Sequence, residues 1–199
     1  MFKRDPATNN KTLIEGEFSL PEFAYLQFNN WVFTEKVDGT NIRVKYETEL
    51  SFGGKTDNAS IPAPLVNRLN ETFLPLKDKF AELFSDGVCL YGEGYGAKIQ
   101  KGGGNYRDDQ DFVLFDVKIG DWWLQREDVE DVATKLGLVI VPVIGSGNLH
   151  EMVEMVQEGF KSWWGDFQAE GIVARPAVEL KNRAGNRIIT KVKCKDWKR

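Results

Sequence analysis

The hydrophobic and polar positions along this chain switch between two periods. Ile42, Val44 and Tyr46 alternate with Arg43 and Lys45, and the preceding Trp31-Val32-Phe33-Thr34 is β-branched and aromatic. Two half-buried strands therefore flank the stretch Glu35-Lys36-Val37-Asp38-Gly39-Thr40-Asn41. Asp38-Gly39 between them predicts a tight turn, because glycine takes a positive φ without a Cβ penalty. Over residues 62–84 the period becomes helical. Val66, Leu69 and Phe73 recur first, then Leu76, Phe80, Leu83 and Phe84, and Pro75 divides the run into two helices. Val129, Val132 and Leu136 predict a helix ending at Gly137, and Leu149, Met152, Val153 and Val156 another ending at Gly159.

The segments between these read as strands and loops. Residues 51–58 form a glycine-marked strand end carrying Lys55, and Val88-Cys89-Leu90-Tyr91 starts a strand that runs into Gly92-Glu93-Gly94. A basic, glycine-rich loop with Lys98, Lys101 and Arg107 follows; a long mobile connection is its ordinary meaning. Residues 111–118 read as a strand in a hairpin with Trp122-Trp123. Residues 138–144 form one apolar strand, and residues 170–176 and 187–195 the last two, the final one with its lysines on one face. Residues 1–30 read as irregular. With no repeat, low-complexity run or linker, the expectation is a single α+β domain over residues 1–199.

Composition narrows the function. Apolar content of 42% with 28% charged residues is ordinary for a soluble globular protein. No apolar run approaches the ~20 residues that span a bilayer, and the N-terminus lacks the apolar core of a secretory signal. A soluble, cytoplasmic protein with no membrane partner is expected. Two cysteines, Cys89 and Cys194, read as free thiols. With one histidine, His150, in the first turn of a surface helix, they build neither a Cys/His zinc site nor a convincing nucleophile–histidine pair. The net charge of −4 argues against indiscriminate nucleic-acid binding, yet residues 181–199 hold eight Lys or Arg and one acid, Asp196. Such an end is either a solvated tail or a footprint for phosphates. Lys36, with carboxylates one residue before it and two after, is either a surface ion pair of little worth or a nucleophile.

Order is the decisive pattern. Glu-Lys-Val-Asp-Gly-Thr-Asn (35–41), Gly-Glu-Gly-Tyr-Gly (92–96), Phe-Val-Leu-Phe-Asp-Val (112–117), Glu-Gly-Ile-Val-Ala-Arg (170–175) and Lys-Val-Lys (191–193) succeed one another along the chain. This succession resembles the covalent nucleotidyltransferases, the polynucleotide ligases and capping guanylyltransferases. It is most similar to the phage nick-sealing type of ATP-dependent RNA ligase, through Thr40-Asn41, the loop Lys98-Ile99-Gln100-Lys101 and the strand Phe115-Asp116-Val117. The resemblance covers nearly the whole chain and accounts for a catalytic domain alone. As the sequence stops six residues after Lys193, no appended C-terminal domain is expected.

What the resemblance implies is specific. The fold would be the nucleotidyltransferase, or ligase adenylation, fold: antiparallel sheets with flanking helices around an ATP pocket. Lys36 would attack the α-phosphorus of ATP and carry AMP. Lys191 and Lys193 would converge on the α-phosphate as further catalytic groups; cations near the amine favour its neutral form, and carboxylates oppose this. Backbone around Glu35 and Val37 would line the adenine edge, Phe115 would stack on the base, and Glu93 would hold the ribose or help position metal. Lys55 stands where the family places an arginine or lysine against phosphate, without the bidentate fork of arginine. Asp38, Glu93 and Glu170, with Asn41, would hold Mg²⁺ or Mn²⁺ largely through waters. Asp38 follows the wider superfamily, because the phage relatives carry histidine there. RNA, as a nicked duplex or RNA/DNA hybrid, would lie across Lys98, Lys101, Arg107, Arg183 and Arg187. AMP would pass to a 5′-phosphate end, which a 3′-hydroxyl then seals, a chemistry suited to RNA repair. Two alternatives stay open: a DNA ligase or GTP-using capping enzyme, and an end-binding module without turnover. Oligomeric state is not written in these residues.

Overall fold

The structure is a computed structural model, and it describes residues 1–197. Lys198 and Arg199, the last two cations of the basic end, lie outside the described residues. In chain order the elements are β1 (Phe2–Arg4), β2 (Leu13–Phe18), α1 (Pro21–Leu26), β3 (Trp31–Glu35), β4 (Thr40–Tyr46), β5 (Leu50–Gly53), α2 (Ala63–Phe73), α3 (Lys77–Leu83), β6 (Val88–Gly96), β7 (Gln110–Ile119), β8 (Trp122–Trp123), α4 (Arg126–Leu136), β9 (Val143–Gly147), α5 (Leu149–Glu158), β10 (Gly171–Pro176) and β11 (Thr190–Lys193). The fold is α+β with antiparallel sheets, as expected. Its contacts divide into two compact units, one built from residues 1–37 with residues from 142 onward, the other from residues 38–141.

The first unit takes strands from both ends of the chain. Its antiparallel sheet runs β11-β10-β3-β9, with Ile172 opposite both Glu35 and Val192. Alternation places Trp31, Phe33, Ile172, Ala174 and Val192 on one face, where they bury against Phe23 and Leu26 of α1 and Leu149, Met152 and Val156 of α5. A capping box starts α5: Asn148 accepts from the His150 and Glu151 amides, and Glu151 accepts from the Asn148 amide at 2.7 Å. Residues 1–30 are more regular than expected. β1 pairs with β2 and α1 seals the core, while the Trp31 indole donates to the Leu26 carbonyl at 2.9 Å. Pro21 at the start of α1 reads as irregular in sequence, yet proline is well placed in a first helical turn.

The second unit is continuous in sequence. Its sheet runs β5-β4-β6-β7-β8, and α2, α3 and α4 cover one face through Leu65, Leu69, Phe73, Phe80, Val129, Val132 and Leu136. The break between α2 and α3 falls at Pro75, inside a 3-10 turn. Gly137 ends α4 with φ 69°, in the left-handed region. Two expectations need revision here. The tight turn expected at Asp38-Gly39 does not pair β3 with β4, because the two strands belong to different sheets. The apolar run 138–144 is not one strand. Residues 138–141 run beside β7, with Leu114 donating to Val139 and Val141 to Leu114, whereas Val143 begins β9 in the other unit. Pro142, which has no N–H to donate, stands at the division.

Candidate active site

Lys36 follows directly on β3, and its amide continues the ladder by donating to the Gly171 carbonyl at 2.9 Å. On the other side of β10, the Cys194 amide donates to the Glu170 carbonyl at 2.9 Å. Three neighbouring strands thus end together in the first unit, with Gly171 opposite Lys193. The face away from the core carries the charges. The Lys36 ammonium pairs with one oxygen of Glu170, and the Lys193 ammonium with the other at 2.5 Å. The side chain of Glu170 is only 10% exposed, so one shielded carboxylate stands between two cations. Lys191 lies two residues before Lys193 on the same face and is exposed, opposite Val173.

The glycine after Glu170 makes this possible. A Cβ on Gly171 would overlap the Val192 carbonyl oxygen and approach the Lys193 Cα to 2.7 Å. Glycine here allows β11 to sit against β10, which brings Lys193 to Glu170.

Glu35 and Val37, expected to line the adenine edge, have their side chains in the interior, 1% and 4% exposed. The Glu35 carboxylate accepts from the Ser162 hydroxyl at 2.6 Å and from the Trp163 amide at 2.8 Å. Burial pushes its acidity to higher pH, and these two donors oppose the shift. Its amide donates to Pro142 O at 3.1 Å. This latch was not visible in the sequence; the signal was Trp163-Trp164 followed by Gly165-Asp166.

In the second unit the remaining motif residues gather along β4, β6 and β7. Asn41 stands opposite Glu93. Gly39 fills no turn: a Cβ there would overlap the Gly94 carbonyl oxygen and lie 2.8 Å from Glu93 Cγ. The glycines flanking Glu93 face the core side, where a Cβ would collide with the Phe112 ring at Gly92 and with Leu65 at Gly94. Phe115 sits on a bulge, because the register passes from Tyr91–Asp116 to Gly92–Leu114 and leaves it as the extra residue. Bulges re-aim side chains next to sites. The glycine-rich loop is tied to the segment around Asp38 and Gly39. The Tyr106 hydroxyl accepts from the Asp38 amide at 3.2 Å, and Gln100 donates to the Gly39 carbonyl at 3.1 Å.

Lys55 is exposed just beyond β5, on a loop that Arg43 braces by donating to the Gly54 carbonyl at 2.7 Å and to Asp57 at 2.8 Å. Lys98 and Lys101 are exposed in the second unit, Lys98 at φ 66°, and Arg183 is exposed in the first. Two of the expected RNA contacts, Arg107 and Arg187, have carboxylate partners. Arg107 is committed to Asp109 and Asp111, and lies over the Tyr95 ring. Arg187 forks onto Glu179 at 2.6 and 3.0 Å and is 8% exposed. Each is paired with carboxylates of its own unit. Among the described residues, no three of His, Cys, Asp and Glu stand together as a metal cluster, and no helix is long and apolar enough to cross a membrane.

With five motifs ordered on two sheets, the comparison with known proteins is direct. The RNA ligase family profile matches residues 29–193. The chain belongs to the RNA ligase family. Its fold is similar to solved structures of the Naegleria gruberi RNA ligase. The structure with PPi aligns at TM-score 0.68 and 18% identity, over 87% of this chain and 52% of that one. A variant with ATP and Mn aligns at TM-score 0.65 and 19% identity, over 79% and 48%. A variant with AMP and Mn aligns at TM-score 0.68 and 16% identity, over 87% and 52%. The chain therefore spans about half the length of those RNA ligases, and at such identities the likeness is one of fold. No curated protein matches the chain at a significant level.

Proposed function

We propose that this RNA ligase family member is an ATP-dependent polynucleotide ligase that seals RNA through a lysyl-AMP intermediate. The observation that carries the reading is the Lys36–Glu170–Lys193 arrangement on the charged face of the first unit's sheet. Lys36 attacks as the free amine: its Nζ bonds to the α-phosphorus of ATP, the bond to pyrophosphate breaks, and the amine proton leaves. Lys193, with Lys191, offsets negative charge growing on the α-phosphate oxygens. Glu170 holds both amines at their positions until nucleotide arrives. Phe115 stacks on adenine, the backbone near Glu35 and Val37 lines its edge, and Glu93 and Asn41 hold the ribose side. Lys55 meets phosphate as a point charge.

The ATP and Mn of the Naegleria gruberi structures support a nucleotide and a divalent ion here. Asp38, Glu93 and Glu170 each offer carboxylate oxygens, the donor type taken by a hard ion such as Mg²⁺ or Mn²⁺ that keeps several waters and shares substrate phosphates. When bound, such an ion adds charge stabilisation at the phosphates. AMP then passes to a 5′-phosphate end, and a 3′-hydroxyl displaces it. Lys98, Lys101 and Arg183, with Arg107 and Arg187 once they exchange their carboxylate partners, are the proposed contacts to the RNA backbone, and binding falls with rising salt. A nicked duplex or RNA/DNA hybrid suits the nick-sealing resemblance.

The test is retention of label after denaturation when the protein meets α-labelled ATP with magnesium. The parent labels, and Lys36→Ala loses at least about a thousandfold, the scale seen when a nucleophile is removed. Equal labelling of the variant would overturn the assignment, and labelling by GTP alone would move the reading to capping chemistry.

A further inference from the structure

Residues 161–168 fold into a small hairpin that the proposed chemistry does not use. Lys161 bridges to Gln168, the Ser162 amide donates to the Phe167 carbonyl at 2.8 Å, and the Gly165 amide to the Ser162 carbonyl at 3.3 Å. The tip carries Trp163, 67% exposed, with the Trp164 ring edge-on at 5.4 Å between centroids.

An exposed indole is common enough, but this one has its backbone fixed. The Trp163 amide donates to one oxygen of Glu35, and the Trp164 amide donates at 3.2 Å to the Ser162 hydroxyl, which donates in turn to the other. Both tryptophan amides thus end on a single buried carboxylate. Glu35 immediately precedes Lys36. At its far end the hairpin runs within two residues into Glu170, the partner of Lys36 and Lys193. The sequence therefore ties an outward-facing aromatic side chain, on a hydrogen-bonded backbone, to the reacting amine at both ends of one loop.

We propose that Trp163 is a stacking platform for an unpaired base of the RNA strand at the end being joined, and that Glu35 is its positioning residue. Stacking suits this surface because every base offers a π-face and the loop backbone that presents the indole is already held in place. Free adenine has the same chemistry, but the proposed function assigns it to Phe115, so the occupant here is a base of the polynucleotide. The proposal deepens that function and rests on it for the identity of the strand.

The experiment measures binding of a fluorescent 5′-phosphorylated oligoribonucleotide to the full chain without ATP. Trp163→Ala should weaken binding about tenfold, within the usual worth of one stacked base. Trp163→Phe should recover most of it. Trp122→Ala, which removes an equally exposed tryptophan (78%) of the other unit, should change binding less than about twofold. Undiminished binding by Trp163→Ala, or an equal loss in Trp122→Ala, would overturn the proposal. So would an equal rise in the ATP concentration needed for labelling, which would put adenine on the indole. If the parent binds RNA through Trp163 but never forms lysyl-AMP, the proposed function fails while the platform stands.

Discussion

Each unit carries a motif in which an acid precedes a glycine pressed by a neighbour's backbone, Glu170-Gly171 in the first and Asp38-Gly39 in the second, and these two glycines do similar work by different means. Neither has the positive φ that a turn would demand. Each lacks a side chain because backbone occupies the space: Val192 O and Lys193 Cα at Gly171, Gly94 O at Gly39. In the first unit this close approach sets a charge, since it seats Lys193 on the carboxylate it shares with Lys36. In the second it sets a surface, since the glycine packs against Glu93-Gly94 while Gln100 and Tyr106 clasp the segment from the loop. One region is organised by side-chain electrostatics in a shielded place, where a carboxylate between two amines is sensitive to small displacements. The other is organised by backbone shape, which changes the fit of a ligand before it changes any charge.

This contrast fixes the order of expected effects. Gly171→Ala strikes rigid backbone on a paired strand and should be the more severe, costing about 3 kcal/mol of stability as overpacking does. It should also reduce lysyl-AMP formation by at least about a hundredfold, through displacement of Lys193 by an ångström or so. Gly39→Ala meets one backbone oxygen and one side-chain carbon that can turn away, and should cost about 2 kcal/mol. Its effect on labelling should fall on the ATP concentration required, roughly tenfold, with the maximal rate changed less. Urea midpoints together with labelling kinetics separate the two. If Gly39→Ala lowers the maximal rate as much as Gly171→Ala does, the division between a charge-setting and a shape-setting glycine is wrong.

The same pair explains what the sequence could and could not say. Periodicity located α2, α3, α4 and α5, because each buries one stripe of apolar residues. It also located β3, β4, β6, β7 and β10, and the alternation at 190–193 gave the shared face of Lys191 and Lys193. The role of Asp38-Gly39 was misread. A glycine required by a neighbour's carbonyl is indistinguishable in sequence from one required by a left-handed turn, and the neighbour, Gly94, is fifty-five residues further along the chain. Pro142 divided an apolar run that hydropathy alone joins. Arg107 and Arg187 carry the charge that suits phosphate, but composition cannot reveal that Asp109, Asp111 and Glu179 already face them. The Phe115 bulge depends on register, which no single strand encodes.

The smallest expected effect probes the residue that precedes Lys36. Glu35 is buried, and burial raises its pKa above the ordinary 4.5 against the pull of Ser162 and the Trp163 amide. Below the ordinary value Glu35 is protonated in both folded and unfolded chains. As pH rises past it, the unfolded chain gives up the proton first, so the unfolded state binds fewer protons and stability falls until the folded carboxyl has ionised as well. Glutamine cannot titrate. The thermal midpoint of Glu35→Gln minus that of the parent should therefore grow as pH rises past the ordinary 4.5, by roughly 2–4 °C for each kcal/mol in a chain of this size. Taking the difference between the two proteins cancels the other carboxylates. A difference that shrinks with rising pH would mean that the two donors outweigh burial, and that the latch holding Trp163 favours an ionised Glu35 even in the interior.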